Sequence, residues 1–222
     1  MTERVQIYGT GQEIEVRKIF CLGKNYAAHA REMKSEVPSS PVVFLKPPTA
    51  ILADRKDIRI PSLSKEAHHE VELVVAISRD GKNIPARDAY DYVLGYAIGL
   101  DMTLRDVQNE AKKKGEPWTV AKGFDTSAPV SAVIPRSMIP DPHALTIRCT
   151  VNGKVRQEST TQNMIFSIPA TIAFLSSLFT LERGDLIFTG TPEGVGPVHA
   201  GDEIRAELVG FASITHTVRT TE

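Results

Sequence analysis

Short β-branched runs, broken by Gly, Pro and Asp, dominate the pattern of apolar and polar positions along the chain. Runs of four to eight such residues between turn formers predict strands. Residues 17–22 form one, ending at Gly23, and residues 41–45 another, stopped by Lys46-Pro47-Pro48. Residues 71–77 are the clearest strand and close at the Asp80-Gly81 turn. Residues 147–151 and 155–158 flank Asn152-Gly153, the dipeptide preferred in two-residue type I′ hairpins because both central positions need positive φ. Residues 185–188, 203–208 and 213–218 supply the later strands.

Two segments carry helical spacing instead. In residues 103–114, Leu104, Val107 and Ala111 recur at helical intervals, and Thr103 and Asp106 are spaced like a capping box. Lys112, Lys113 and Lys114 favour the C-terminal end of the dipole, and Gly115 ends the helix. In residues 168–179, Ser167 can cap, Pro169 lies in the first turn, and Ile168, Ile172, Leu175 and Phe179 make one stripe. The expected class is mainly β with a few helices, an α+β fold without regular βαβ alternation.

Composition narrows the function. A chain of 222 residues with 41% hydrophobic residues can bury a sizeable core as one domain, with or without a short arm. A net charge of −1 gives no basic field for nucleic acid or an anionic membrane. No apolar stretch approaches the about 18 residues needed to span a bilayer, and the polar start MTERVQIYGTGQEIEV does not read as a targeting signal. The two cysteines, Cys21 and Cys149, read as reduced thiols of a cytoplasmic protein.

The strongest chemical signal is His68-His69-Glu70-Val71-Glu72. Side chains alternate along a strand, so Glu70 and Glu72 share a face that Val74 and Ala76 continue inward. Two acids at the mouth of an apolar strand repel each other and resist burial, and a hard dication such as Mg²⁺ or Mn²⁺ resolves that. Asp101, which ends the apolar run 92–100, is the third acid we recruit. Glu at i and i+2 also marks a solvated strand face, and the residues alone leave both readings open. The zinc-protease pattern H-E-x-x-H is absent.

Weaker candidates accompany the acids. His29 and Glu32 stand three apart, so on a helical turn the carboxylate can orient the imidazole as a general base, or the two form an exposed pair. The Gly-rich stretch Thr189 to Pro197 can present backbone N–H groups to a carboxylate, or be a structural turn; it lacks the Gly-Lys-Ser/Thr of a P-loop. Lys46 and Lys122 can bind an anionic substrate or be solvated.

Together the segments GKNYAAHAREM, FLKPPTA, HHEVELVV, GYAIGLDMTLRDVQ, PWTVAKGFDTSAPV, VNGKVRQES and FTGTPEGVGP resemble the fumarylacetoacetate hydrolase family from about residue 19 to 218. The similarity is greatest to its acylpyruvate hydrolase and oxaloacetate decarboxylase branch. The resemblance implies a mixed β-roll, β-sandwich-like fold, a short arm over residues 1–17, one catalytic domain over 18–222, and a homodimer. It implies Glu70, Glu72 and Asp101 as ligands of Mg²⁺ or Mn²⁺. His29 and Glu32 match a catalytic dyad on a mobile lid spanning residues 25–38. Lys122 matches a catalytic polar group, Gln108 a group near the substrate, Thr191 the loop residue at its carboxylate, and Lys46 the lysine of FLKP. Lys24 stands where relatives often carry Arg, and an ammonium cannot make the same forked contact with a carboxylate.

The implied substrate is a small 2-oxo or 2,4-dioxo acid. The expected reaction is hydrolysis of an acylpyruvate to pyruvate and a carboxylic acid, with decarboxylation of oxaloacetate at the same site. The alternatives are keto–enol tautomerisation of oxaloacetate or isomerisation of 2-hydroxyhepta-2,4-diene-1,7-dioate, and a non-catalytic protein stabilised by a structural ion.

Overall fold

The computed structural model describes residues 2–33 and 35–221. Val71–Ile77 is buried at every position, and its side chains split between two cores. Val71, Leu73, Val75 and Ile77 enter the larger one, while Val74 and Ala76 enter a second with Ile19, Cys21, Leu186 and Phe188. A strand covered on both faces is apolar wherever its side chains meet a core, which is why this run reads so clearly; Glu72 is the exception, and it faces the cavity described below. It lies inside a six-stranded sheet ordered Ile134–Pro135, Val93–Leu100, Val71–Ile77, Leu186–Phe188, Ile19–Gly23, Val42–Lys46. Val93–Leu100 packs closely because a Cβ on Gly99 would lie 2.6 Å from the Phe188 ring, and one on Gly95 would lie 2.1 Å from the Ile134 carbonyl oxygen.

A five-stranded sheet covers the larger core, in the order Lys154–Thr160, Thr146–Val151, Glu203–Leu208, Ala212–Thr220, Ile58–Ile60. Ile147, Cys149, Ile204 and Ala206 point inward and meet the same core as Leu73 and Val75. The expected hairpin is present: Val151 pairs with Lys154, and Asn152 and Gly153 have φ of 51° and 73°. Strands outnumber helices as expected, in a mixed, sandwich-like α+β fold. Residues 4–15, within the expected arm, form a hairpin of Arg4–Gln6 with Glu13–Glu15 that buries Val5 and Ile14 in the second core.

Among the described residues four α-helices accompany the sheets: α1 (Ala27–Glu32), α2 (Arg105–Lys114), α3 (Thr119–Lys122) and α4 (Ile168–Leu178). Ser167 caps α4, its hydroxyl accepting the Ala170 N–H, but Phe179 falls just outside the helix and is partly exposed. The expected capping box of α2 is not formed. Thr103 pairs as a strand with His68, and its hydroxyl donates to the Asp101 carbonyl, so the helix starts only at Arg105. Asp106 instead accepts the Ser64 hydroxyl at 2.6 Å and the Lys65 N–H at 2.9 Å.

Candidate active site

Strand directions place the site. Val93–Leu100 and Leu186–Phe188 both run antiparallel to Val71–Ile77, and Ile19–Gly23 runs parallel to Leu186–Phe188. The C-terminal ends of three strands therefore meet the N-terminal start of the fourth. The residues just beyond those ends, among them Lys24, Glu70, Asp101 and Thr191, surround a cavity of about 180 Å³. That volume suits a small organic acid.

The three acids converge there. Glu70, Glu72 and Asp101 are all buried, and each offers an oxygen within 4.8 Å of the others. Glu70 occupies the break between Ala67–His69 and Val71–Ile77, where its carbonyl accepts the Asp101 N–H at 2.8 Å. The face shared by Glu70 and Glu72 thus opens into the cavity and not into solvent. Burial raises the Glu72 carboxyl well above the usual range, and Asp101 and Glu70 add to the effect. One Glu72 oxygen accepts the Gly190 N–H at 2.7 Å. Burial alone would raise Glu70 too, but Lys122 and Arg105 outweigh it and hold this carboxyl well below the usual range.

Three buried cations face the acids. Lys122, at the end of α3, donates to Glu70 Oε2 at 2.8 Å and Asp101 Oδ2 at 2.6 Å. Arg105 pairs with Glu70 and donates to Gln108 Oε1 at 2.7 Å, which leaves the Gln108 amide NH₂ for a ligand. Lys46 does not line the cavity. Its ammonium is buried behind Asp101 and donates to the carbonyls of Met102, Lys122 and Ser127, so its three N–H groups are spent. Direct substrate binding by Lys46 is therefore replaced by support from behind.

That geometry also tests the fit of a metal. Lys46 Nζ forms an ion pair with Asp101 Oδ1 at 2.8 Å from behind, and this buried oxygen has no other polar partner among the described residues. Three converging buried carboxylates, one of them pushed toward neutrality, make an all-oxygen donor set that fits Mg²⁺ or Mn²⁺.

His29 and Glu32 form their pair on α1, with His29 Nδ1 3.2 Å from Glu32 Oε2. His29 lines the cavity, while the other Glu32 oxygen accepts the Gly194 N–H at 3.0 Å. Lys24 lines the cavity from a left-handed backbone conformation, φ 59°. Thr191 is at the cavity, but its hydroxyl donates to the Val71 carbonyl at 2.9 Å and accepts from Gln157 at 2.8 Å. It has no proton left for a substrate carboxylate, so what remains is its backbone N–H, unbonded among the described residues.

Sequence reasoning missed Arg105, Lys112, Trp118 and Gln157. Arg105 stands four residues after Asp101 and three before Gln108, a spacing that hinted at a shared face. Lys112 also lines the cavity, its ammonium 5.2 Å from the Trp118 ring centre. Burial and then Arg105 lower its pKa. Gln157 gave no local signal.

Comparisons with known proteins agree with this architecture. The family described as "Fumarylacetoacetate (FAA) hydrolase C-terminal" matches residues 18–219. The chain is 52% identical, over 93% of each chain, to "Oxaloacetate tautomerase FAHD1, mitochondrial" of Homo sapiens. It superposes with a TM-score of 0.94 on the fumarylpyruvate hydrolase of Pseudomonas aeruginosa solved with Mn²⁺ and pyruvate, at 38% identity and covering 99% of this chain and 97% of that one. The 2-hydroxyhepta-2,4-diene-1,7-dioate isomerase of Mycobacterium marinum matches with a TM-score of 0.83 and 38% identity, over 96% of this chain and 82% of that one. On sequence along nearly its whole length and on backbone alike, the chain belongs to the fumarylacetoacetate hydrolase family of enzymes.

Proposed function

We propose that this enzyme is a divalent-metal-dependent tautomerase of oxaloacetate, interconverting its keto and enol forms. The observation that carries the reading is that His29, oriented by Glu32, faces the same cavity as the Glu70, Glu72 and Asp101 cluster. Expectation from sequence put acylpyruvate cleavage first. The name borne by relatives at 52–53% identity supports placing tautomerisation ahead of it.

Glu70, Glu72 and Asp101 would hold Mg²⁺ or Mn²⁺, which supplies Lewis-acid polarisation of the 2-oxo group and stabilises enolate charge. Nδ1 of His29 faces Glu32, so its proton sits there and Nε2 is the basic nitrogen. His29 Nε2 takes a proton from C3 of oxaloacetate, and the C2 oxygen of the resulting enolate takes up a proton from solvent to give the enol. In the reverse direction the enol hydroxyl loses its proton to solvent and protonated His29 returns one to C3. Lys122 donates a hydrogen bond to the oxygen at C2 as charge develops there. The Gln108 amide, the Thr191 N–H and the Lys24 ammonium orient the carboxylates.

A second reading, cleavage of acylpyruvates, is favoured by the 0.94 superposition on a fumarylpyruvate hydrolase. Here His29 deprotonates a water that adds to the distal carbonyl; the carbon–carbon bond breaks to a carboxylic acid and the pyruvate enolate, which takes up a proton. Decarboxylation of oxaloacetate forms the same enolate and needs no base.

The test is a panel of oxaloacetate, acetylpyruvate, fumarylpyruvate and 2-hydroxyhepta-2,4-diene-1,7-dioate, with products identified before and after chelation. Rapid, chelator-sensitive enol–keto exchange of oxaloacetate is expected. Exchange at the uncatalysed rate with rapid acetylpyruvate cleavage would move the second reading to first place.

The proposal includes a homodimer. Val42–Lys46 is an edge strand beside an apolar groove around Leu45, Phe174 and Phe179, and an unpaired strand edge can join its own twofold mate. Sedimentation as a monomer at micromolar concentration would overturn it. The proposal also keeps the expected cytoplasmic, reducing compartment, since Cys21 and Cys149 are both buried and unpaired. No helix among the described residues is long and apolar enough to cross a membrane.

A further inference from the structure

Gln157 lies outside the cavity yet uses its whole amide on the walls of the site. Its Oε1 accepts from His69 Nδ1 at 2.9 Å and from the Val71 N–H at 3.0 Å. Its Nε2 donates to Thr191 Oγ1 at 2.8 Å and to the Pro192 carbonyl at 2.9 Å. The amide orientation is unambiguous, because the Val71 N–H can only donate and the Pro192 carbonyl can only accept. His69 therefore donates through Nδ1, and the Thr191 hydroxyl sends its own proton to the Val71 carbonyl.

The residues held by Oε1 are the two neighbours of Glu70, which sits at the break between two strands. The residues held by Nε2 begin the loop that carries the Thr191 N–H and, two residues beyond Pro192, Gly194. That loop is seated on the strand of Gln157: a Cβ on Gly194 would lie 2.2 Å from the Arg156 carbonyl oxygen. The Gly194 N–H in turn binds Glu32, the partner of His29.

We propose that Gln157 is a positioning residue that sets the distance between the acid at Glu70 and the 190s loop, and so couples cation binding to 2-oxo acid binding. The inference rests on the metal-dependent reading above. A buried amide with four partners cannot release one side without leaving the other unbalanced. Groups that hold metal ligands in place typically matter about 10–100-fold in metal affinity when lost.

The experiment uses Gln157→Leu and Gln157→Glu with three readouts: hydrogen exchange of the 190–194 amides without metal, Mn²⁺ binding by calorimetry, and oxalate binding to the Mn²⁺-loaded protein. Gln157→Leu should speed loop exchange, and should weaken Mn²⁺ binding about 10–100-fold and oxalate binding as well. Gln157→Glu keeps acceptors for His69 and Val71 but loses both donors. It should speed loop exchange and weaken oxalate binding more than Mn²⁺ binding. If Gln157→Leu does not fold, Gln157→Glu decides. Wild-type loop exchange in folded Gln157→Glu, or wild-type Mn²⁺ affinity in folded Gln157→Leu, overturns the coupling. Absence of Mn²⁺ binding by the unaltered protein would defeat the metal reading instead, and loop exchange would still decide the role of Gln157.

Discussion

Glu32 accepts the Gly194 backbone N–H at 3.0 Å, so the helix carrying His29 is latched to the Gly-rich loop by the same carboxylate that orients the imidazole. The expected lid, residues 25–38, is anchored at its start. Tyr26 is 1% exposed, and the Asn25 side chain donates to the Phe166 and Thr189 carbonyls. Lys34, within that segment, lies outside the described residues.

Cutting the latch should loosen the segment and misplace the base. Glu32→Ala is expected to speed proteolysis within residues 25–38 and to lower turnover roughly 10²-fold, within the range of a positioned base. Oxalate with Mn²⁺ should protect the wild-type segment if it closes over ligand. Equal cleavage with and without ligand would remove the lid from the mechanism.

His29 should matter unequally to the three reactions. His29→Ala is expected to depress tautomerisation and acylpyruvate hydrolysis by about 10²–10⁴-fold, since both move a proton. Oxaloacetate decarboxylation should fall less. The measurement is the set of rate ratios at saturating Mg²⁺, and an equal loss in all three would show that His29 is not a base specific to the proton-transfer steps.

Glu72→Gln separates metal binding from folding. The glutamine oxygen can still accept the Gly190 N–H, and a buried acid that resists ionisation is removed. With chelator, the variant should melt at or above the wild-type temperature. At 100 times its dissociation constant, Mn²⁺ should stabilise wild type by about 2.7 kcal/mol, a rise of about 5–10 °C for a chain of this size. The variant should lose that rise. A full Mn²⁺-dependent shift in Glu72→Gln would remove this residue from the ligand set.

Acid should destabilise the fold in part through His216. Its Nδ1 lies 2.8 Å from the Lys56 carbonyl oxygen, its Nε2 is buried without a partner among the described residues, and burial lowers its pKa below the ordinary 6.5. A depressed pKa means that the unfolded chain binds more protons between the two values. Its contribution is therefore complete above about pH 6.5 and lost as pH falls through the folded value. His216→Gln should flatten the fall in melting temperature between about pH 7 and pH 5. An unchanged slope would assign the acid sensitivity to other groups.

Features that depend on neighbours a few positions away were legible in the chain before it folded. Val71–Ile77 declared itself because this strand, buried on both faces, is apolar at every position but Glu72. Asn152-Gly153 declared its hairpin because few other pairs adopt φ of 51° and 73° in succession. The common face of Glu70 and Glu72 followed from strand alternation, and the His29–Glu32 pair from one helical turn. Tertiary structure decided the rest, because the deciding contacts join residues far apart in the chain. Lys122 reaches Glu70 across 52 positions, Gln157 reaches Thr191 across 34, and Gly190 reaches Glu72 across 118. The same long-range pairing turned Thr103 from a helix cap into a strand residue, and set Lys46 behind Asp101 with its protons already committed. Periodicity tells which face a side chain takes; only the packed sheet decides what meets it there, because desolvation and charge depend on every atom that arrives.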